Sequence, residues 1–188
     1  MAGNFRYKTP IRTFTKTYKN YKSYKIPLAK DFNNRCGYTD CPDFWFGGKN
    51  NFHIDHFKPI SKYSNLEFDY SNLVYSCSYV NILKSDDEGD YIDPCDVDFN
   101  NHFERDSDGT IIPKAESKEA NHMFDKLQLG LRRYSLIWKL DEVHIKMTEL
   151  RDHINDPKNE SIKNDLKLLN SDLAVEFVTY LEYLKVAQ

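Results

Sequence analysis

The sequence predicts an α+β protein, and two stretches carry that prediction. Between residues 53 and 85 the pattern reads strand, long loop, strand, helix. After residue 114 the apolar residues recur at helical spacing to the end of the chain. The composition agrees with a globular chain. With 188 residues, 40 % hydrophobic, 14 % aromatic and 29 % charged, there is enough apolar material for a core without disulfides. No apolar signal-type segment and no run of ~18 apolar residues occurs, so no membrane association and a cytoplasmic location are expected.

In chain order, three regions are distinguished. Residues 1–30 contain no acid, yet carry Arg6, Lys8, Arg12, Lys16, Lys19, Lys22, Lys25 and Lys30, interleaved with Phe5, Tyr7, Phe14, Tyr18, Tyr21 and Tyr24. Cations that neutralise phosphates beside rings that stack on bases describe a nucleic-acid arm. Rings that cover the neighbouring core, with solvated lysines, describe the same segment equally well. The two readings are compatible.

Residues 31–113 hold the strand, strand, helix unit. Phe44-Trp45-Phe46 before Gly47-Gly48 reads as an apolar anchor and a turn into the first strand. Ile54-Asp55-His56 ends a short apolar run halted by Pro59. Leu73 to Cys77 is the second strand, and Tyr79 to Ser85 has helical character. The charge then reverses: from Asp86 to Asp108 ten acids face only Arg105, at spacings that do not follow a calcium loop. Ser107 to Pro113 reads as a hairpin turn.

Residues 114–188 are helical. Ala120, Met123, Phe124 and Leu127 form one stripe; Leu131, Tyr134, Trp138 and Ile145 form a second; Asp156-Pro157 interrupts. Ile162 to Leu184 supplies a last stripe, expected to bury against the other helices and the core, or to dock a partner. Arg132 and Arg133 are candidates for phosphate contact.

The spacing Asp55, His56, Pro59, Asn72, Leu73, Cys77, Asn81, Lys84 resembles the HNH endonuclease motif. The family's usual order is an acid or His followed by His, then Pro, Asn-Leu, and Cys-x-x-Cys-His/Asn-x-x-Lys. Val80 departs from it, and the last position is Asn81, as in the HNH domain of RNA-guided CRISPR nucleases. The resemblance implies a ββα-metal HNH nuclease core. It assigns His56 as general base, Asn72 as the residue that fixes the loop and orients His56, and Asp55 and Asn81 as ligands of one divalent ion. A carboxylate and an amide oxygen, completed by water and phosphate, suit Mg²⁺ or Mn²⁺. Lys58 and Lys84 are candidates to meet a phosphate oxygen. His53 is expected to neighbour the site rather than to ligate. An isolated Asp-His pair is more often a surface pair; the joint match with Asn72, Asn81 and Lys84 decides for a site.

Relatives often carry two Cys-x-x-Cys pairs that bind a structural zinc. Here those positions read Cys36 and Thr39, then Cys77 and Val80, so the usual zinc knuckle is expected to be absent. The alternative is a site rebuilt from Cys36, Cys41, Cys77 and Cys95.

The region after the motif is similar to small bacterial HNH proteins of antiphage systems, among them the nuclease subunit of Septu and retron-associated nucleases. That similarity implies an effector acting on DNA, with RNA also conceivable as substrate, and an ATPase partner of SMC or ABC type; His102 then becomes a candidate supporting residue of the site. Two rival readings stand beside it. One is a non-catalytic nucleic-acid-binding or scaffold subunit, the other an RNA-cleaving HNH toxin.

Overall fold

The computed structural model describes residues 3–186, and the chain divides into two compact units between Leu131 and Arg132. The protein is α+β. The first unit begins with β1 (Gly3–Asn4), followed by a 3-10 turn over Tyr21–Tyr24 that runs into α1 (Lys25–Asp31). Then come β2 (Phe52–His56), β3 (Leu73–Cys77), the short α2 (Ser78–Lys84), β4 (Phe103–Arg105), β5 (Ile111–Pro113) and α3 (Lys118–Lys126). The second unit holds α4 (Arg132–Asn155) and α5 (Lys163–Val186), which pack on each other across the 3-10 turn Pro157–Ile162. No helix among the described residues is long and apolar enough to cross a membrane.

The division places α3 with the first unit, against β5, so that unit runs past residue 113, where the sequence had suggested a boundary. Ala120, Met123 and Leu127 are the reason: all three are fully buried, and Met123 Sδ accepts a hydrogen bond from the Ile92 amide at 3.3 Å. Burying such a face is what fixes a nine-residue helix that is too short to persist alone.

β2 and β3 form a two-stranded antiparallel sheet in the register Phe52↔Cys77, Asp55↔Val74 and His56↔Leu73. Every residue of β3 is buried, which explains why it reads as largely apolar, with only Ser76 polar, rather than alternating. α1 packs against β3. The second sheet has the order β1-β4-β5. Its β4–β5 turn is the expected hairpin: Asp106 Oδ1 accepts from the amides of Asp108 and Thr110, each at 2.9 Å, and Gly109 takes a φ of +80°.

Part of the basic N-terminal segment is structural. Arg6 is buried, donates to the Gly37 carbonyl at 2.6 Å and lies 4.2 Å from the Phe99 ring centroid; burial pushes its pKa down to about 10. Arg12 makes a two-pronged bond to Asp93 at 3.0 and 2.9 Å. Phe14, Tyr18 and Tyr24 cluster with Tyr70. The segment therefore covers the core with its rings and two arginines, while Lys8, Lys16, Lys19, Lys22 and Lys30 remain exposed. Arg105, the one cation in the acidic stretch, is also fully buried and donates to the carbonyls of Phe5, Gly109 and Thr39.

α5 covers its expected stripe only in part. Leu166, Leu173, Phe177, Leu181 and Leu184 are half-buried, none of its residues is fully buried, and within the stripe Leu169 is 49 % and Val178 53 % exposed. Phe44 of the expected apolar anchor is likewise 72 % exposed.

Candidate active-site cleft

The site is built where β2 ends, between α2 and the N-terminal segment. Side chains alternate along a strand. His53 and Asp55 point toward α2, where the Asn81 amide nitrogen lies 3.4 Å from His53 Nδ1 and the Lys84 ammonium meets Asp55. His56 points the other way, with its ring edge-on to Tyr21 at 4.8 Å between centroids. Together with Ile54, Pro59 and Ser61, the residues Asp55, His56 and Asn81 line one open cleft of about 320 Å³.

His56 is oriented by the loop that follows it. Its Nε2 lies 3.0 Å from the Glu67 carbonyl oxygen. A carbonyl only accepts, so this nitrogen donates, and in the neutral ring that tautomer leaves the lone pair on Nδ1. Asn72, 5 % exposed, holds the same loop by imitating a paired peptide: its Oδ1 accepts from the Lys58 amide at 2.8 Å and its Nδ2 donates to the Lys58 carbonyl at 3.0 Å. The Phe57 amide also donates to the Asn72 carbonyl at 2.8 Å. The backbone on either side of Lys58 is thus fastened to the start of β3, two residues after His56. Asn72 positions; it does not line the cleft.

Asp55 is 4 % exposed and accepts the Tyr38 hydroxyl at 2.6 Å, while Lys84 Nζ lies 3.2 Å from its Oδ2. Burial raises the Asp55 pKa above the ordinary carboxylate value, and the Lys84 ammonium and the Tyr38 hydrogen bond pull it back. Burial, reinforced by the Asp55 charge, pushes the Tyr38 phenol well above its usual range.

Lys84 is placed elsewhere than the phosphate contact expected of it. Its side chain is fully buried, and its ammonium is held by Asp55 and by the His56 carbonyl at 2.9 Å. The last turn of α2 is in contact with β2, and Asp55 is the carboxylate that balances the charge of a stem directed inward there. Lys58 does remain exposed, with its ammonium 5.7 Å from the Tyr63 ring.

Cys36, Cys41 and Cys77 are neighbours, and Cys95 is placed apart from them. Cys36, Cys41 and Cys77 are buried, and the Cys77 amide donates to Cys36 Sγ at 3.4 Å. Burial alone would raise the Cys36 thiol, but hydrogen bonds from Cys77 and Thr39 outweigh it and hold the pKa at about 6; burial pushes Cys41 up to about 12. Cys95 sits instead beside the Arg12–Asp93 pair, its amide donating to Asp93 Oδ1 at 2.8 Å. Among the described residues, no three His, Cys, Asp or Glu side chains are grouped so as to hold a metal ion. His102 Nδ1 lies 2.7 Å from Ser117 Oγ, the hydroxyl that caps α3, and so serves that helix rather than the cleft.

Three participants were not singled out from the sequence as site residues: Tyr38 on Asp55, Tyr21 on His56 and the Glu67 carbonyl. Tyr21 had a signal, since an aromatic within a basic segment already pointed toward nucleic acid. Tyr38 and Glu67 had none, because neither contact follows from spacing. A comparison with protein-family models, with curated proteins and with solved structures finds no match.

Proposed function

We propose that this protein is a divalent-metal-dependent endonuclease of the HNH, ββα-metal type, hydrolysing phosphodiester bonds of DNA. The observation that carries the reading is the convergence of Asp55, His56 and Asn81 on one cleft, with Asn72 fastening the loop behind His56. Asp55 and Asn81 fit one hard cation held mainly by water and phosphate. Mg²⁺ is commonly bound through one or two carboxylates plus substrate oxygens. Lys84 already neutralises Asp55, so the ion binds weakly until a phosphate brings further negative charge. When bound, it supplies electrostatic stabilisation of the phosphate and of the leaving oxygen. His56 acts through its free Nδ1 lone pair, taking the proton of the attacking water, while the Glu67 carbonyl keeps the ring from turning. The exposed Lys58 meets the backbone phosphate. A place as effector in antiphage defence, with an ATPase partner of SMC or ABC type, rests on the sequence resemblance alone.

One observation favours a second reading, a non-catalytic nucleic-acid-binding or scaffold subunit. Asp55 is buried and ion-paired, as a purely structural carboxylate is. Incubating the protein with supercoiled plasmid and with tRNA, in Mg²⁺, in Mn²⁺ and in EDTA, separates the readings. Metal-dependent plasmid cleavage is expected. Cleavage of tRNA alone points to an RNA-directed toxin. Binding of either substrate without cleavage in any metal overturns the enzyme assignment.

A further inference from the structure

A second cleft, of about 380 Å³, adjoins the first and is lined by Tyr21, Lys22, Lys25, Asn50 and His53. The two are continuous. Ile54 lines both, the Tyr21 ring touches His56 of the first, and His53 touches Asn81 of the first. Their electrostatics differ. Asp55 and Asp86 line the catalytic cleft, whereas two lysines and no acid line the second. Asp43 acts on Lys25 as a nearby charge, but it is buried, accepts the Tyr75 hydroxyl at 2.7 Å and does not line this cleft. Lys25 donates one bond to the Phe52 carbonyl and keeps two further N–H donors; burial holds its pKa below the usual value. Lys22 is exposed, and its backbone is fixed where Asn20 caps the 3-10 turn by accepting from the Lys22 amide at 3.0 Å. Tyr21, half-buried on the same turn, presents an aromatic surface whose orientation is set by its contact with His56.

Cations in a cleft that no carboxylate lines favour a phosphate, and a fixed ring favours the face of a base. The two together, next to a cleft read as holding the scissile phosphate, define a polynucleotide subsite. We propose that the cleft of Tyr21, Lys22, Lys25 and Asn50 binds the nucleotide adjoining the scissile phosphate, with its base unstacked against Tyr21 and its phosphate on the two lysines. The register of cleavage along the strand then rests on this subsite, although its assignment as a neighbour of the cleaved bond depends on the nuclease reading.

The test separates this inference from the nuclease reading by measuring binding without chemistry. Fluorescein-labelled single-stranded oligonucleotide is titrated in EDTA across a salt series with wild type, Lys22→Ala and Asn50→Ala. The same is done for Tyr21→Phe and Tyr21→Ser with the oligonucleotide and with an abasic strand of equal length. Lys22→Ala is expected to reduce the slope of log K against log salt by about 0.7, one phosphate contact on a single strand. Wild type and Tyr21→Phe are expected to prefer the base-bearing strand by about tenfold, and Tyr21→Ser to lose that preference. In Mn²⁺, Lys22→Ala is expected to lower kcat/KM for the oligonucleotide about tenfold more than for bis(4-nitrophenyl) phosphate, a diester too small to reach both clefts. Unchanged salt slopes together with an unchanged preference for bases overturn the subsite. If wild type hydrolyses neither substrate, the nuclease reading fails, and the binding titrations still decide whether the cleft takes a nucleotide.

Discussion

The Lys84 ammonium lies 3.2 Å from the Asp55 carboxylate, with the lysine side chain fully buried and the aspartate 4 % exposed. A pair this deep is an obligation more than a gain, because either partner left alone is a buried, uncompensated charge. Lys84→Met is therefore expected to cost about 3–5 kcal/mol of unfolding free energy in urea titrations. The double variant Asp55→Asn with Lys84→Met should recover a large part of that loss. The pH dependence has a fixed sign. The Asp55 pKa is raised in the folded chain, so between its unfolded and folded values the folded state holds the extra proton. Stability then falls as pH rises through that window, and falls further when Lys84 is removed. A Lys84→Met protein as stable as wild type at all pH values would show that the pair does not form.

Asp31 has the opposite sign. Burial alone would raise its pKa, but hydrogen bonds from Thr13, Tyr70 and the Phe14 amide outweigh it and hold the carboxyl below the ordinary value. Those bonds fasten the N-terminal segment to the end of α1. They are fully present above the unfolded carboxyl value and are lost as pH falls through the depressed folded one. Hydrogen exchange at the Thr13 and Phe14 amides should accelerate relative to intrinsic rates across that range, and Asp31→Asn should remove the pH dependence. Equal protection in both proteins at every pH would assign the docking to the aromatic cluster alone.

These two carboxylates mark what the sequence allowed to be read. The two strands and α2 were legible because Leu73 to Cys77 is apolar except for Ser76 and Pro59 and Asn72 punctuate the loop, all of which are local signals. The β4–β5 turn was legible because Asp106 and Gly109 stand where a tight hairpin needs them. The inward turn of Lys84 was not, since a lysine closing a short helix carries the same letter whether it is solvated or buried. Nor was the burial of Arg6 and Arg105, whose partners are backbone carbonyls distant in the chain. α5 was legible as a helix but not in its depth: its stripe recurs at helical spacing, yet Leu169 and Val178 within it stay about half exposed. Periodicity tells that a face exists, not whether anything covers it.

Asn72 offers a test of positioning against reaction. Replacing it by Ala removes two part-buried bonds to the Lys58 backbone, at a cost of about 0.5–1.5 kcal/mol for each bond lost. On the proposed mechanism, His56→Ala should lower cleavage by about 10²-fold or more with DNA binding largely kept. Asn72→Ala should lower cleavage less and raise proteolysis of the loop between residues 57 and 71. Wild-type cleavage by His56→Ala would remove His56 from the mechanism.

Asn81 sets the choice of metal on the same reading. Its amide nitrogen lies 3.4 Å from His53 Nδ1, and its oxygen is a neutral, hard donor on the cleft that Asp55 also lines. Oxygen donors favour Mg²⁺ and Mn²⁺, whereas an imidazole nitrogen favours zinc, nickel and other later transition metals. Cleavage by wild type is expected to be fastest in Mg²⁺ or Mn²⁺, slow in Zn²⁺ or Ni²⁺, and lost on chelation. Asn81→His places an imidazole at the same turn of α2 and should shift the ranking toward the later metals. Asn81→Ala should lose most activity in every metal. His53→Ala serves as the control for the neighbouring contact, because it frees the Asn81 amide without removing a proposed ligand, and should preserve the metal ranking. Rates are compared across the divalent series at fixed ionic strength, since polynucleotide binding weakens with salt. An unchanged ranking in Asn81→His, together with near-normal activity of Asn81→Ala, would place the ion elsewhere in the cleft.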